Sequence, residues 1–256
     1  EIVGKLYDAF VVQYDADDTT RKGYVSGAAD LADTVKGCFL GQAGDWCTTP
    51  AQSINYASCH DNMTLLDRIT RSTPGVSEED RIRMNNLSAA IYMTAQGIPF
   101  LQAGEEMLRT KIDASGGFLE NSYNSPDSVN SIKWNTLEDE TYQNVYNYYK
   151  GLIAFRKAHA ALRLTNADDV NANITSVDGL DENVLAFRIN GGVNGETSDG
   201  IFVIFNPNNA ATSVTLPDGA WDVCVDADHA GTDALTTVAG SVSVEPISAM
   251  VLVKKK

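Results

Sequence analysis

The sequence predicts a chain of mixed class, an α/β part over residues 1–165 followed by an all-β part, a small antiparallel β-sandwich, over residues 166–256. Three observations carry that expectation. In the first part, two short apolar runs each end in a polar cluster and lead into a helical pattern, as βα units of a parallel sheet do. Beyond about residue 166 the pattern changes to short runs of strand formers punctuated by Gly, Asn, Asp and Pro. The hydrophobic fraction is 43% of 256 residues, enough for a buried core in one large domain or two ordinary ones.

Residues 1–50 read as irregular, with a polar, acidic stretch at 15–20 and a short helix over 30–39. Residues 54–59 are mostly apolar and run directly into His60-Asp61-Asn62, which is how a buried parallel strand with a polar carboxyl end reads. Residues 64–70 form a helical turn. A strong helix follows: Ser77 is a good N-cap, Asp80 lies three residues on, Ile82, Leu87 and Ile91 share a face, and Gly97 is the stop. Residues 99–104 are a second buried strand, ending in Glu105-Glu106. The loop over 108–135 is long, and loops of that length in compact domains are usually functional. An amphipathic helix over 138–162 turns Tyr142, Val145, Tyr149, Leu152, Ile153 and Phe155 inward. Both polar clusters therefore sit where strands end and loops begin, the catalytic face of α/β barrels. In the second part, strands are expected at 184–189, 201–205, 213–216, 221–225, 241–244 and 249–253, with the boundary between the parts near 164–169.

A net charge of −15 would repel phosphate backbones, so nucleic acid is not an expected partner. It is compatible with a neutral, hydroxyl-rich substrate such as a polysaccharide, but for charge alone the preferred reading is that it keeps the protein soluble. No apolar run approaches the roughly 20 residues of a membrane span, so no membrane partner is expected. Glu1-Ile2-Val3-Gly4 has no initiator Met and is unlike a signal peptide, which makes a longer or processed protein the expectation and leaves localisation unassigned. Cys38, Cys47, Cys59 and Cys224 are too few and scattered for a disulfide scaffold and show no zinc-type spacing; Cys38 and Cys47 could pair, but buried free thiols are the expectation. Trp134 and Trp221 could be sugar-stacking platforms but read first as core, Trp46 is the better stacking candidate, and His159 and His229 read as surface residues.

His60-Asp61-Asn62 is the sharpest chemical feature. A carboxylate beside an imidazole at a strand end can stabilise a developing oxocarbenium ion and hold sugar hydroxyls. Taken bare, the tripeptide reads as a turn in which Asp61 caps the next helix. Its context changes that. The run Tyr56-Ala57-Ser58-Cys59-His60-Asp61-Asn62 closely resembles the segment around the seventh barrel strand of type I pullulanases, in glycoside hydrolase family 13. Arg83-Met84-Asn85-Asn86 and Gly97-Ile98-Pro99-Phe100-Leu101-Gln102-Ala103-Gly104-Glu105-Glu106 fit the same family. So do Leu108-Arg109-Thr110-Lys111, Asn121-Ser122-Tyr123-Asn124-Ser125-Pro126-Asp127, Glu182-Asn183-Val184-Leu185-Ala186 and Val203-Ile204-Phe205-Asn206. The resemblance runs from about residue 23 to the end.

The resemblance implies that residues 1–165 are the carboxy-terminal part of a (β/α)8 barrel. It implies a retaining hydrolase of α-1,6-glucosidic bonds in pullulan, starch or glycogen, with an α-glucan as the substrate partner. Asp61 would be the catalytic carboxylate that stabilises the transition state. His60 and Asn62 would bind the same sugar, Asn121, Tyr123 and Asn124 would line the glucan cleft, and Arg109 would orient their loop. Asn121 and Tyr123 also fit a purely structural turn. Glu105 and Glu106, at a strand end, could be read as catalytic acids; the resemblance instead implies that they are structural or support the groups that meet the substrate. No cofactor is expected; family members often bind calcium, but no EF-hand-like spacing of aspartates occurs and no metal site is assigned. The family's motifs resembling GFRFD and GEGW, which carry the nucleophile and the acid/base, are absent, and residues 1–22 match poorly. The missing amino-terminal half of the barrel is therefore an expected partner, and the chain alone is expected to be inactive. Other readings are an isoamylase or α-amylase-like enzyme of the same family, and a non-catalytic carbohydrate-binding fragment.

Overall fold

A computed structural model describes residues 22–43, 45 and 47–254; the expectations for residues 1–21 and for Trp46 fall outside them. Among the described residues the first α-helix is α1 (Ala32–Phe39). Strand β1 (Ile54–Asn55) follows, then α2 (Leu65–Ser72), α3 (Glu78–Thr94) and β2 (Ile98–Pro99). After a long loop holding the single turn α4 (Asp127–Asn130) comes α5 (Glu140–Ala158). Helix α6 (Ala167–Asn173) leads into the strands of the second part. Among the described residues no helix is long and apolar enough to cross a membrane.

β1 and β2 pair in parallel, Ile54 against Ile98 and Asn55 against Pro99. Each is two residues long, shorter than the six-residue runs read from the sequence. Pro99 has no N–H to extend a ladder. Gly97 takes a φ of +101° just before β2, and a Cβ there would lie 2.8 Å from the Ser53 carbonyl oxygen, so this approach of the chains requires glycine. The start signal of α3 holds, with Ser77 Oγ accepting from the Asp80 N–H at 3.1 Å, and at and beyond its carboxyl end Arg156 donates to the carbonyls of Met93, Ala95 and Gly97 at 2.8, 2.7 and 2.7 Å. Burial, and then the neighbouring Arg163, pull the Arg156 guanidinium down to about 10.

The second part is a six-stranded antiparallel sheet ordered β3-β4-β5-β10-β7-β8, covered on one face by the pair β6-β9. The strands are β3 (Ile174–Ser176), β4 (Leu185–Asn190), β5 (Gly200–Asn206), β6 (Thr212–Thr215), β7 (Trp221–Val225), β8 (Thr236–Val238), β9 (Ser241–Val244) and β10 (Ser248–Lys254). Alternation along β5 divides its side chains between two cores. Phe202 and Ile204 pack with Trp221, Val214 and Val244 under β6-β9. Ile201, Val203 and Phe205 face the other way, into a core that also contains Phe39, Leu87, Ile91, Tyr149 and Phe155 of the helices. Phe39 stacks on Phe187 with centroids 3.9 Å apart and meets Phe205 edge-on at 5.7 Å. A bulge in β7, where Val225 and Val223 oppose consecutive residues Val251 and Leu252, lets Cys224 and Val225 both face the helical side. The helices of residues 22–165 thus share a core with the sheet of residues 166–254.

Four readings are corrected by this packing. Ile153 on α5 points outward, its place on the buried face being taken by Tyr148. Trp134 is 66% exposed, at the start of a 3-10 turn none of whose residues is buried. His159 is largely buried, its Nδ1 3.2 Å from Glu196 Oε1. Glu196 also accepts from Ser198 and from the Ala161 N–H, a set of contacts that joins the end of α5 to the loop after β4. Cys59 is only half-buried rather than buried, while Cys38, Cys47 and Cys224 are buried and in no disulfide.

Candidate active site

Because β1 and β2 run in parallel, their carboxyl ends leave the sheet on one edge. Beyond β1 the chain stays buried through Tyr56, Ala57 and Ser58 and then surfaces. His60 and Asp61 expose 87% and 75% of their side chains, and His60 Nε2 lies 3.5 Å from Asp61 Oδ2. Asn62 follows in the left-handed region with φ +63°, a conformation that Asn tolerates better than most residues, and turns the chain toward α2. The N-cap of α2 is Thr64, whose hydroxyl accepts from the Asp67 N–H at 3.3 Å. The capping role open to Asp61 in the sequence is therefore filled by Thr64, and the Asp61 carboxylate is left facing solvent.

The loop after β2 is fastened to the same edge. Asp67 on α2 accepts from the Thr110 hydroxyl at 2.5 Å and the Lys111 N–H at 2.8 Å. Arg71 on α2 pairs with Glu120 at 3.1 Å. Lys111 Nζ donates to Ser122 Oγ at 2.8 Å, and burial followed by the nearby Arg109 charge lowers the Lys111 pKa. Arg109 donates to the carbonyl of Ala103 at 3.0 Å and to that of Asn130, while Asn130 Nδ2 donates to the carbonyls of Ser122 and Ser125. Gly104 leaves the room this requires, since a Cβ there would stand 2.7 Å from Arg109 Cδ. The segment between those carbonyls carries Tyr123 and Asn124 outward, with Tyr123 83% exposed; Asn121 is exposed as well. The structure thus ties the helix after His60-Asp61-Asn62 to the loop that bears Asn121, Tyr123 and Asn124, through Asp67, Arg71 and Lys111.

Beneath this edge lies the first carboxyl group of the Glu105-Glu106 cluster, whose partners the sequence did not indicate. Glu105 is 4% exposed. Its Oε2 accepts from Ser58 Oγ at 2.6 Å, and its Oε1 from the hydroxyls of Tyr92 at 2.7 Å and Tyr149 at 3.1 Å. Asn85 Nδ2 donates to the Tyr149 hydroxyl at 3.0 Å. Burial pushes the Glu105 carboxyl up to about 7, against the lowering by its three hydroxyl donors. The available sequence signal is that Tyr92 and Tyr149 lie on the inner faces of the two helices, where a phenol hydroxyl needs a partner.

Among the described residues, one group of three metal-binding side chains has its donor atoms within 4.8 Å of one another: Cys59, His60 and Asp61. A thiol, an imidazole and one carboxylate do not suit calcium, which takes six to eight oxygens. An open groove of about 1070 Å³ lies elsewhere, between α3, α5 and the turn after β7, lined by Arg83, Asn86, Tyr142, Asp228 and His229 among others. Gly151 lets that turn approach α5, since a Cβ there would meet the Ala230 carbonyl oxygen at 1.9 Å. None of the residues proposed for glucan binding lines this groove.

Comparison with known proteins gives a consistent assignment. Residues 170–229 match the family model described as the all-beta domain of pullulanase. A curated pullulanase of Bacillus subtilis (strain 168) is 35% identical over 173 residues, which is 65% of this chain and 23% of that protein. The solved pullulanase from Bacillus acidopullulyticus superposes with a TM-score of 0.91 at 36% identity, over 98% of this chain and 30% of the other. A pullulanase from Paenibacillus barengoltzii, solved in complex with maltohexaose and alpha-cyclodextrin, gives 0.86 at 37% identity over 98% of this chain and 38% of that one. The chain therefore spans between about a quarter and two-fifths of the length of these relatives.

Proposed function

This chain is related in sequence and fold to part of the pullulanases, and from that premise we propose that it supplies one side of the active site of a debranching enzyme that cleaves α-1,6-glucosidic bonds with retention. In this reading residues 1–165 belong to the catalytic (β/α)8 barrel and residues 166–256 form the β-sandwich that follows it. The observation that carries the proposal is the free carboxylate of Asp61. It stands at the carboxyl end of a parallel strand, beside His60, with the capping of α2 already done by Thr64. A surface carboxylate with no structural task, on the edge where α/β barrels keep their chemistry, is a candidate for function.

Asp61 stabilises the positive charge that develops on the sugar ring in the oxocarbenium-like transition state, and binds its hydroxyls. His60 and Asn62 hold the same sugar. Asn121 and Asn124 offer amide donors and acceptors, Tyr123 offers an exposed ring, and Arg109 keeps their loop in place through Ala103 and Asn130. Retaining hydrolysis also needs a nucleophile and an acid/base whose carboxyl groups lie about 5–5.5 Å apart. The chain lacks the motifs that carry that pair in the family, so these groups come from the preceding half of the barrel. Ile54, Ile98 and Phe100, each more than 40% exposed around β1 and β2, give that half an apolar surface to cover.

The test is pullulan hydrolysis by this chain alone, and then with the preceding portion of the Bacillus acidopullulyticus pullulanase added, using Asp61→Asn as the control. Turnover is expected on complementation only and is lost in the control. Turnover by the chain alone would overturn the reading.

A further inference from the structure

We propose that Glu105 is a positioning residue for the edge that carries His60 and Asp61, acting through Ser58. The inference rests on the function proposed above and adds to it a residue with no contact to substrate.

The argument begins with where the β1 segment is held. The parallel ladder reaches Asn55, whose carbonyl accepts from the Phe100 N–H at 2.8 Å. His60 and Asp61 lie five and six residues further on and are open to solvent. Between them and the ladder stands Ser58, fully buried, with its hydroxyl on Glu105 Oε2 at 2.6 Å. That bond joins the carboxyl end of the β1 segment to the turn that follows β2.

Glu105 is in turn fixed by α3 through Tyr92 and by α5 through Tyr149, and the latter is held by Asn85. Two helices and two strand ends thus converge on one carboxylate. Two of its acceptor sites go to rigid phenols and one to a short serine side chain, so displacement of Ser58 would cost a hydrogen bond at a buried carboxyl group. A buried carboxylate is expensive to keep, and an apolar side chain in this place would serve packing better. What the carboxylate adds is a fixed direction for Ser58, hence for the backbone two and three residues later. A transition-state stabiliser needs that precision, because small misplacements of a catalytic group cost rate rather than affinity.

Cys59 provides a built-in reporter. It is half-buried and adjacent to Ser58, while Cys38, Cys47 and Cys224 are buried. The experiment compares wild type, Ser58→Ala, Glu105→Gln and the double variant in two ways. In the chain alone, iodoacetamide labelling of Cys59 at fixed pH is expected to quicken several-fold in each variant, with the other three thiols still protected, as local loosening of the edge requires. In the complemented enzyme, kcat on pullulan is expected to fall roughly tenfold in each single variant with KM within about twofold, and the double variant is expected to be no worse than either single, because both remove one bond.

Unchanged Cys59 labelling in Ser58→Ala, with Asp61→Asn inactive, overturns the positioning role and leaves the proposed function standing. Full activity in Asp61→Asn overturns the function itself. If Glu105→Gln exposes all four thiols, it has unfolded the core; Ser58→Ala, which removes a single hydroxyl, then decides the question.

Discussion

The six-stranded sheet and the β1-β2 pair are built from similar residues and end up in opposite conditions. β5 is buried at every position and β10 at nearly every one, since each face of the sheet has its own cover: helices on one side, β6-β9 on the other. Among the described residues β1 and β2 have one partner each and leave Ile54, Ile98 and Phe100 in the open. Stability is concentrated where the strands are covered. The proposed chemistry lies where they are not, on a carboxylate that performs no structural task. The contrast suggests a division of labour in which the sheet anchors the helices and the helices, through Tyr92 and Tyr149, aim the edge.

The sheet side of the contrast gives the largest effect. Phe187 lies in the shared core, stacked on Phe39 of α1. Phe187→Ala is expected to cost about 3–5 kcal/mol in urea denaturation, the range for deleting a buried aromatic ring. Ile98→Ser, on the uncovered pair, is expected to change stability by less than about 0.5 kcal/mol, as at other surface positions. Equal losses would mean that the two regions do not differ in the way their burial indicates.

The next effect lies where the two regions meet. Burial raises the Glu105 carboxyl to about 7, so between its unfolded value and that pH the folded chain holds a proton the unfolded chain has already released. Stability from this group is complete below the unfolded pKa and is lost as the pH rises through about 7. The loss amounts to about 3 kcal/mol at most. Urea midpoints at pH 5 and pH 8 measure it. The wild-type midpoint is expected to fall more across that interval than the Glu105→Gln midpoint, a comparison in which the histidines and all other carboxyls cancel. A parallel pH response in the two proteins would show that Glu105 does not titrate in this window.

How much of this could be read from the sequence follows the same division. β4, β5, β7 and β10 were legible because consecutive strand formers between turn residues have few other uses. β3 and β8, Ile-Thr-Ser and Thr-Thr-Val, were not, being short and mostly polar edge strands whose signal comes from a neighbour. β1 and β2 were over-read in length, because apolar runs report burial while a ladder needs a partner with an N–H at each step. Trp134 was taken for core on residue type alone, although Lys133 and Asn135 flank it. The buried state of His159 depends on Glu196, 37 residues away, which no local pattern encodes. The His60-Asp61-Asn62 cluster was legible as a motif. Its freedom from the capping role was not, since Ser, Thr, Asp and Asn compete for that position on nearly equal terms.

That competition gives the smallest and most discriminating prediction. If Thr64 caps α2, Thr64→Ala should cost about 1 kcal/mol in urea denaturation. If Asp61 does no structural work, Asp61→Asn should leave stability within about 0.5 kcal/mol of wild type, because an exposed side chain with one weak contact to His60 has little to lose. The two substitutions lie three residues apart in the same turn, so a difference between them reports which side chain holds the helix. A loss in Asp61→Asn as large as that in Thr64→Ala would return Asp61 to the cap and remove the observation on which the proposed function rests. A stable Asp61→Asn chain that fails to support pullulan hydrolysis on complementation would place the whole effect of this carboxylate in the chemistry.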